Sequence, residues 1–151
     1  MDAHQYKSLL IIDDHPVYRD ALSEKLTREF ASLGVEVATA SNASEGLERL
    51  GRSDQHWVVL LDVMMPGLSG LPAIKVFKER PNVSHVVAIS GLDAHAWESK
   101  TATAGASLFL SKNGTAEFIT RKLKPLLIHD ADYVAPTDND EPKEYRLTQR
   151  Q

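Results

Sequence analysis

Three carboxylates, one hydroxyl and one ammonium stand at or just after the ends of apolar runs in this chain. Asp13 and Asp14 follow Leu9-Leu10-Ile11-Ile12. Asp62 closes Trp57-Val58-Val59-Leu60-Leu61, Ser90 closes Val86-Val87-Ala88-Ile89, and Lys112 comes two residues after Leu108-Phe109-Leu110. Carboxylates brought together repel one another and raise one another's pKa values. A hard divalent cation relieves that repulsion, and all-oxygen ligation with retained waters suits Mg2+ or Mn2+. A cation, an ammonium, a hydroxyl and backbone N–H groups together make a pocket for a phosphoryl group. A carboxylate among them can attack phosphorus and become an acyl phosphate. Taken alone, Asp62 has a plainer reading, as a residue that caps a helix or starts a turn.

The chemistry requires elements that carry these residues to one place. Leu9 to Ile12 reads as a buried strand, and Pro16 suits the first turn of the helix after it. Val17, Ala21, Leu22, Leu26 and Phe30 recur at helical spacing, and Gly34 ends that stretch. Val35 to Ala40 is a second strand. Asn42 and Glu45 look like a capping box for a helix through Leu47 and Leu50, closed at Gly51. The third strand ends at Asp62, where Pro66-Gly67 forces a turn. Leu71, Ile74, Val76 and Phe77 give a third helix, which stops before Pro81. Val83 to Ile89 is the fourth strand. Asp93 is placed to cap a helix through Ala96, Trp97 and Ala104, whose apolar stripe is thin enough that mobility is expected. Gly105 to Leu110 is the fifth strand. A last helix from about Thr115 buries Phe118, Ile119, Leu123, Leu126 and Leu127, with Pro125 kinking or ending it.

Strands alternating with helices imply a parallel sheet with right-handed crossovers and helices on both faces. In such a doubly wound α/β fold the carboxyl ends of the strands share one edge, where ligand sites form.

A chain of 151 residues suits one full domain. A hydrophobic share of 42% and a charged share of 25% are those of a soluble globular protein. The net charge of −4 argues against binding nucleic acid or an anionic membrane through this chain. With no cysteine there is no disulfide, thiolate metal site or Cys nucleophile. No apolar run approaches a membrane span and the N-terminus lacks a signal core, so a cytoplasmic location is expected. From His129 the character changes: 130–146 is an acidic, Pro-containing linker without periodicity. His4, His56, His85, His95 and His129 show no ligand spacing. His15 is expected at the rim of the cleft, helping to start the first helix.

Asp13-Asp14, the Asp62-x-x-Met65-Pro66-Gly67 turn, Ser90 after an apolar strand, and Phe109-x-x-Lys112 after Gly105-Ala106 together resemble the receiver domain of two-component response regulators. Each piece alone is weak, but the set in this order and spacing is specific. The resemblance covers about residues 7 to 128, within a domain taken as 1–129. It implies a flavodoxin-like (βα)5 sheet with strand order 2-1-3-4-5, an order the flavodoxin-like fold is known for. It implies that Asp62 is the phosphoacceptor, Asp14 a direct metal ligand and Asp13 a ligand through water. Met64 would offer its backbone carbonyl to Mg2+ or Mn2+. Lys112 would pair with the phosphoryl group, Ser90 would hydrogen-bond to it, and Phe109 would be the aromatic switch.

The implied partner is a sensor histidine kinase. The implied consequence is homodimerisation or a changed output contact, in a regulator that catalyses only its own phosphorylation and dephosphorylation. Asp13-Asp14-His15-Pro16-Val17-x-Arg19 resembles the NarL/FixJ subfamily, whose members carry a LuxR-type helix-turn-helix domain. Leu147 to Gln151 resembles the opening of that domain, so DNA contact is expected only through a C-terminal domain absent from this chain. Two alternatives stand beside this. One is a stand-alone or phosphorylation-independent interaction module. The other is a phosphatase of the haloacid-dehalogenase kind, which Met64 argues against because that class needs a second Asp there. Departures from the usual receiver pattern are Asn113 where proline is common and Ser90-Gly91 where Thr-Ala is commoner.

Overall fold

The structure, a computed structural model, describes residues 6–128 apart from Pro66, Leu68, Leu92 and Asp93, with only the backbone of Ala94 and His95. The expectations for Pro66, Asp93, His4, His129, the linker 130–146 and the segment 147–151 therefore lie outside the described residues. In chain order the elements are β1 (Ser8–Ile12), α1 (Pro16–Glu29), a 3-10 turn (Ala31–Leu33), β2 (Val37–Ala40), α2 (Ala43–Gly51) and β3 (Trp57–Asp62). There follow α3 (Gly70–Lys78), β4 (Val83–Ser90), α4 (Ala94–Ala104), β5 (Leu108–Ser111) and α5 (Ala116–Leu127).

The strands form one sheet in the order β2-β1-β3-β4-β5, and every pair is parallel. This is the flavodoxin-like doubly wound fold that the resemblance implies. Alternation along each strand sends side chains to opposite layers. Leu10, Ile12, Val59 and Leu61 pack with Leu50, Ile74 and Phe77 of α2 and α3 on one face. Leu9, Ile11, Val58 and Leu60 pack with Leu22, Leu26, Ile119 and Leu123 of α1 and α5 on the other. The two central strands are thus buried on both faces, which is why they read as unbroken apolar runs. Each buried Leu, Ile or Val contributes about 1.5–3 kcal/mol, and the site stands at the ends of these buried strands.

Several boundaries differ from the sequence reading. Val17 is 84% exposed and Ala21 is exposed too; the buried stripe of α1 is Leu22 and Leu26, continued by Phe30 just past the helix, with half-buried Tyr18 on the same row. An i, i+4 row starting at Tyr18 accounts for this, and Val17 lies off it. The α1 helix ends before Gly34, which instead closes the 3-10 turn at φ 73°. The cap of α2 is Asn42, whose side chain accepts from Glu45 N–H, but Glu45 reaches back to the N–H of Ser41, one residue earlier than a capping box requires. The fifth strand starts at Leu108, not Gly105, because ladder pairing begins at Val87 with Leu108 and Gly105 has φ 118°. The second strand starts at Val37. Pro125 sits inside the last turn of α5, which ends two residues later at Leu127.

Candidate functional site

The carboxyl ends of β1, β3, β4 and β5 meet at one edge of the sheet. Asp13 follows β1 directly, and Asp62 is the last residue of β3; each is only 1% exposed. Lys112 follows β5, and its backbone N–H donates to the Ser90 carbonyl at 3.0 Å. That bond extends the β4–β5 ladder by one step and aims the lysine side chain across the end of the sheet. Its Nζ lies 2.8 Å from Asp13 Oδ2 and 3.0 Å from Asp62 Oδ2. Asp14 is partly exposed on the rim, with Oδ1 3.4 Å from His15 Nδ1.

The loop after Asp62 is built to hold that carboxylate. Met64 N–H donates to Asp62 Oδ1 at 2.9 Å. Ser69 Oγ accepts from Met65 N–H and donates to the Val63 carbonyl, closing the loop on itself. Gly67 takes φ 77°, a left-handed conformation that favours glycine. The Met64 side chain is 48% exposed.

Burial pushes both buried carboxyls up, yet they end on opposite sides of the ordinary value. At Asp13 the burial effect is outweighed by the Lys112 ammonium 2.8 Å away and by the His15 backbone N–H at 2.9 Å, and its pKa is lowered. At Asp62 burial prevails over the Met64 N–H and Lys112, with the Asp13 charge adding to it, and its pKa is raised. Lys112 loses some affinity for its proton through burial, but its bonds to Asp13 and Asp62 more than restore it, and its pKa is raised. The two acids are thus displaced in opposite directions, Asp13 toward its ionised form and Asp62 toward its protonated form.

Ser90 is fully buried at the end of β4, beside the end of β3 in the sheet. Phe109 pairs in register with Ala88 and faces inward, packed in the layer that also holds Trp97 and Ala106. The Lys112–Asn113 bond is trans, as no cis peptide occurs among the described residues. Three neighbours are not evident from the strand-end pattern. His15 is 63% exposed but makes no side-chain cap; its Nδ1 instead lies 3.1 Å from Asp13 Oδ1 and 3.7 Å from Asp62 Oδ2. Tyr18 places its ring 4.8 Å from Lys112 Nζ. Arg19 donates to the Asp13 carbonyl at 3.1 Å. The adjacency of His15 to the acid pair and the place of Tyr18 on the buried row of α1 are the signals that point to the first two.

Asp13, Asp14, His15 and Asp62 each offer a ligand atom, all within 4.8 Å of one another, so this edge is able to hold a metal ion. Asp14 Oδ1 is buried without a hydrogen-bond partner, and Asp13 Oδ2 has Lys112 at close range but no partner in hydrogen-bond geometry. Buried oxygen atoms left short of donors are what a hard cation satisfies. The donor set therefore fits a divalent ion.

Comparison with known proteins agrees with this geometry. A family model described as "Response regulator receiver domain" matches residues 9–124. The transcriptional regulatory protein MctR of Rhizobium johnstonii is 34% identical over 116 residues, covering 77% of this chain and 53% of that protein. The response regulator PleD of Caulobacter vibrioides is 36% identical over 106 residues, covering 69% of this chain and 22% of that protein. The chain thus spans about half or less of the length of these curated relatives. Among solved structures, the response regulator TrrA of Thermotoga maritima, in complex with Mg2+-BeF, matches with a TM-score of 0.66 and 28% identity, over 80% of this chain and 99% of that one. The site at the end of the sheet is thus set in a chain that belongs to the response regulator receiver domain family of two-component systems.

Proposed function

We propose that this chain accepts a phosphoryl group on Asp62 from a sensor histidine kinase, or from a small acyl phosphate, and that the modified state controls an output. The observation that carries the reading is Lys112 Nζ held between Asp13 Oδ2 and Asp62 Oδ2 at 2.8 and 3.0 Å. It joins the third strand's final carboxylate to the first strand's acid through a fixed positive charge.

In the proposed step an oxygen of the Asp62 carboxylate attacks phosphorus. The bond from phosphorus to the donor's imidazole nitrogen, or to the acyl oxygen, breaks, and its electron pair leaves with the donor. Lys112 then follows the negative charge onto the phosphoryl oxygens, Met64 N–H keeps one Asp62 oxygen in place, and the Ser90 hydroxyl accepts the role of donor to the phosphoryl group. Asp13, Asp14, Asp62 and the Met64 carbonyl would hold Mg2+ or Mn2+, which when bound offsets the charge gathering on carboxylate and phosphoryl oxygens. Phe109, now packed inward, is the group proposed to couple Ser90 to the outer surface of α4 and β5. That coupling is a population shift between two arrangements, driven by a local change of charge.

The finer assignment, to the NarL/FixJ subfamily with a helix-turn-helix output and phosphorylation-linked dimerisation, is supported by the Asp13-to-Arg19 motif and by resemblance to a transcriptional regulatory protein. The test is incubation with acetyl phosphate and Mg2+. A mass gain of one phosphoryl group in wild type, absent in Asp62→Asn, is the expected result. Equal labelling of both proteins contradicts the proposal.

A further inference from the structure

We infer that His15 is a nitrogen ligand of the cation site and shifts its preference from Mg2+ toward transition metals such as Mn2+ and Ni2+. The inference rests on the reading, given under the proposed function, that the carboxylates hold a divalent ion.

Ligand atoms about 2.1 Å from one ion lie about 3.0 Å apart at neighbouring corners of an octahedron and about 3.4 Å apart in a tetrahedron. His15 Nδ1 lies 3.1 Å from Asp13 Oδ1, 3.4 Å from Asp14 Oδ1 and 3.7 Å from Asp62 Oδ2. One nitrogen thus keeps ligand-like separations from the two carboxylates that follow β1, and Asp62 of β3 lies slightly farther off.

The ring is also positioned. The His15 N–H donates to Asp13 Oδ1 at 2.9 Å, and Pro16 at the start of α1 keeps the His15 backbone extended at φ −92° and ψ 101°. Nδ1 lies 3.3 Å from Lys112 Nζ, which also touches Asp13 and Asp62. Nδ1 faces both this ammonium and Asp13 Oδ1, so its role as donor or acceptor depends on the tautomer; with the ring hydrogen on Nε2 it offers the lone pair that a metal uses. Imidazole suits first-row transition metals, whereas Mg2+ takes oxygen, and affinity rises from Mn2+ to Ni2+ at a given nitrogen-containing site.

The test uses the whole chain as wild type, His15→Ala and Asp14→Asn. Calorimetric titration with Mg2+, Mn2+ and Ni2+ reads affinity, and the electron spin-echo spectrum of bound Mn2+ reads nitrogen on the ion. We expect His15→Ala to weaken Ni2+ by about tenfold or more while Mg2+ changes by about twofold or less. Wild-type Mn2+ should show nitrogen coupling that His15→Ala removes. Absence of that coupling, with Mn2+ binding still abolished by Asp14→Asn, overturns the His15 assignment and leaves the cation site standing. Coupling that survives His15→Ala comes from another histidine and also overturns it. Binding indifferent to Asp14→Asn, or no binding, overturns the cation site itself.

Discussion

Lys112 Nζ donates to Asp62 Oδ2 at 3.0 Å across a sequence separation of 50 residues. The bond has two functions in the fold. It neutralises a buried acid that burial alone makes costly, and it holds an ammonium beside the proposed phosphoacceptor.

Removing that ammonium leaves Asp13 and Asp62 facing each other. Lys112→Ala should cost about 2–3 kcal/mol in a chelator, less than the roughly 3–5 kcal/mol of a fully buried broken pair, because Asp62 can take up a proton. Lys112 also keeps 16% of its side chain in water, which screens the pair. Urea unfolding checks this, with part of the loss recovered on adding Mg2+. An unchanged midpoint would show that the pair contributes nothing.

Asp62 and Asp13 pull stability in opposite directions with pH. Asp13 has a lowered pKa, so its contribution is present above the ordinary value of 3.8 and is lost as pH falls through the folded value. Asp62 has a raised pKa, so its ionised form opposes folding at neutral pH, and that penalty fades as pH falls through the folded value to 3.8. Asp62→Asn should therefore be more stable than wild type at pH 7, by about 2–5 °C in melting midpoint for about 1 kcal/mol. The gap should close in acid. Melting curves of both proteins across that range check the sign.

Tyr18 has its pKa pushed up to about 12 by burial and by the charges of Asp13 and Asp62. Its stabilising effect is full below the ordinary 10.0 and is lost as pH rises through the folded value. Ultraviolet titration should show one phenol ionising late, and Asp62→Asn should bring it earlier. The Tyr18 hydroxyl is buried without a partner. Tyr18→Phe keeps the ring over Lys112 and should be neutral or stabilising, while Tyr18→Leu should lose about 0.5–1 kcal/mol of cation–π attraction.

Much of this was legible in the sequence because it depends on periodicity and strand ends. The apolar runs Leu9–Ile12 and Trp57–Leu61 are buried on both faces, so their length and the acids that close them could be read directly. The edge strand β2 and the start of β5 were less legible, since pairing rather than composition sets where they begin. Val17 is apolar yet exposed because Tyr18, one residue on, defines the buried row. The reach of His15 into the acids depends on its side-chain rotamer and on the start of α1, and no spacing rule encodes either. Lys112 was found because it follows a strand; its bridging of two particular acids required coordinates.

Met64 exposes an apolar side chain directly beside Asp62, where water would approach the proposed acyl phosphate. Met64→Asn replaces it with a group that can orient that water. The half-life of the phosphorylated protein should shorten several-fold, followed by loss of the phosphoryl mass over time. An unchanged half-life would mean that Met64 does not shield the site.

One carboxylate, Asp62, is proposed to carry the phosphoryl group. Reduction of the acyl phosphate with borohydride converts the modified aspartate to homoserine, which peptide mass spectrometry locates. After treatment with acetyl phosphate and Mg2+, homoserine is expected at position 62, and none when the divalent ion is chelated. Homoserine at Asp13 or Asp14 instead, or no reducible acyl phosphate at all, would contradict it.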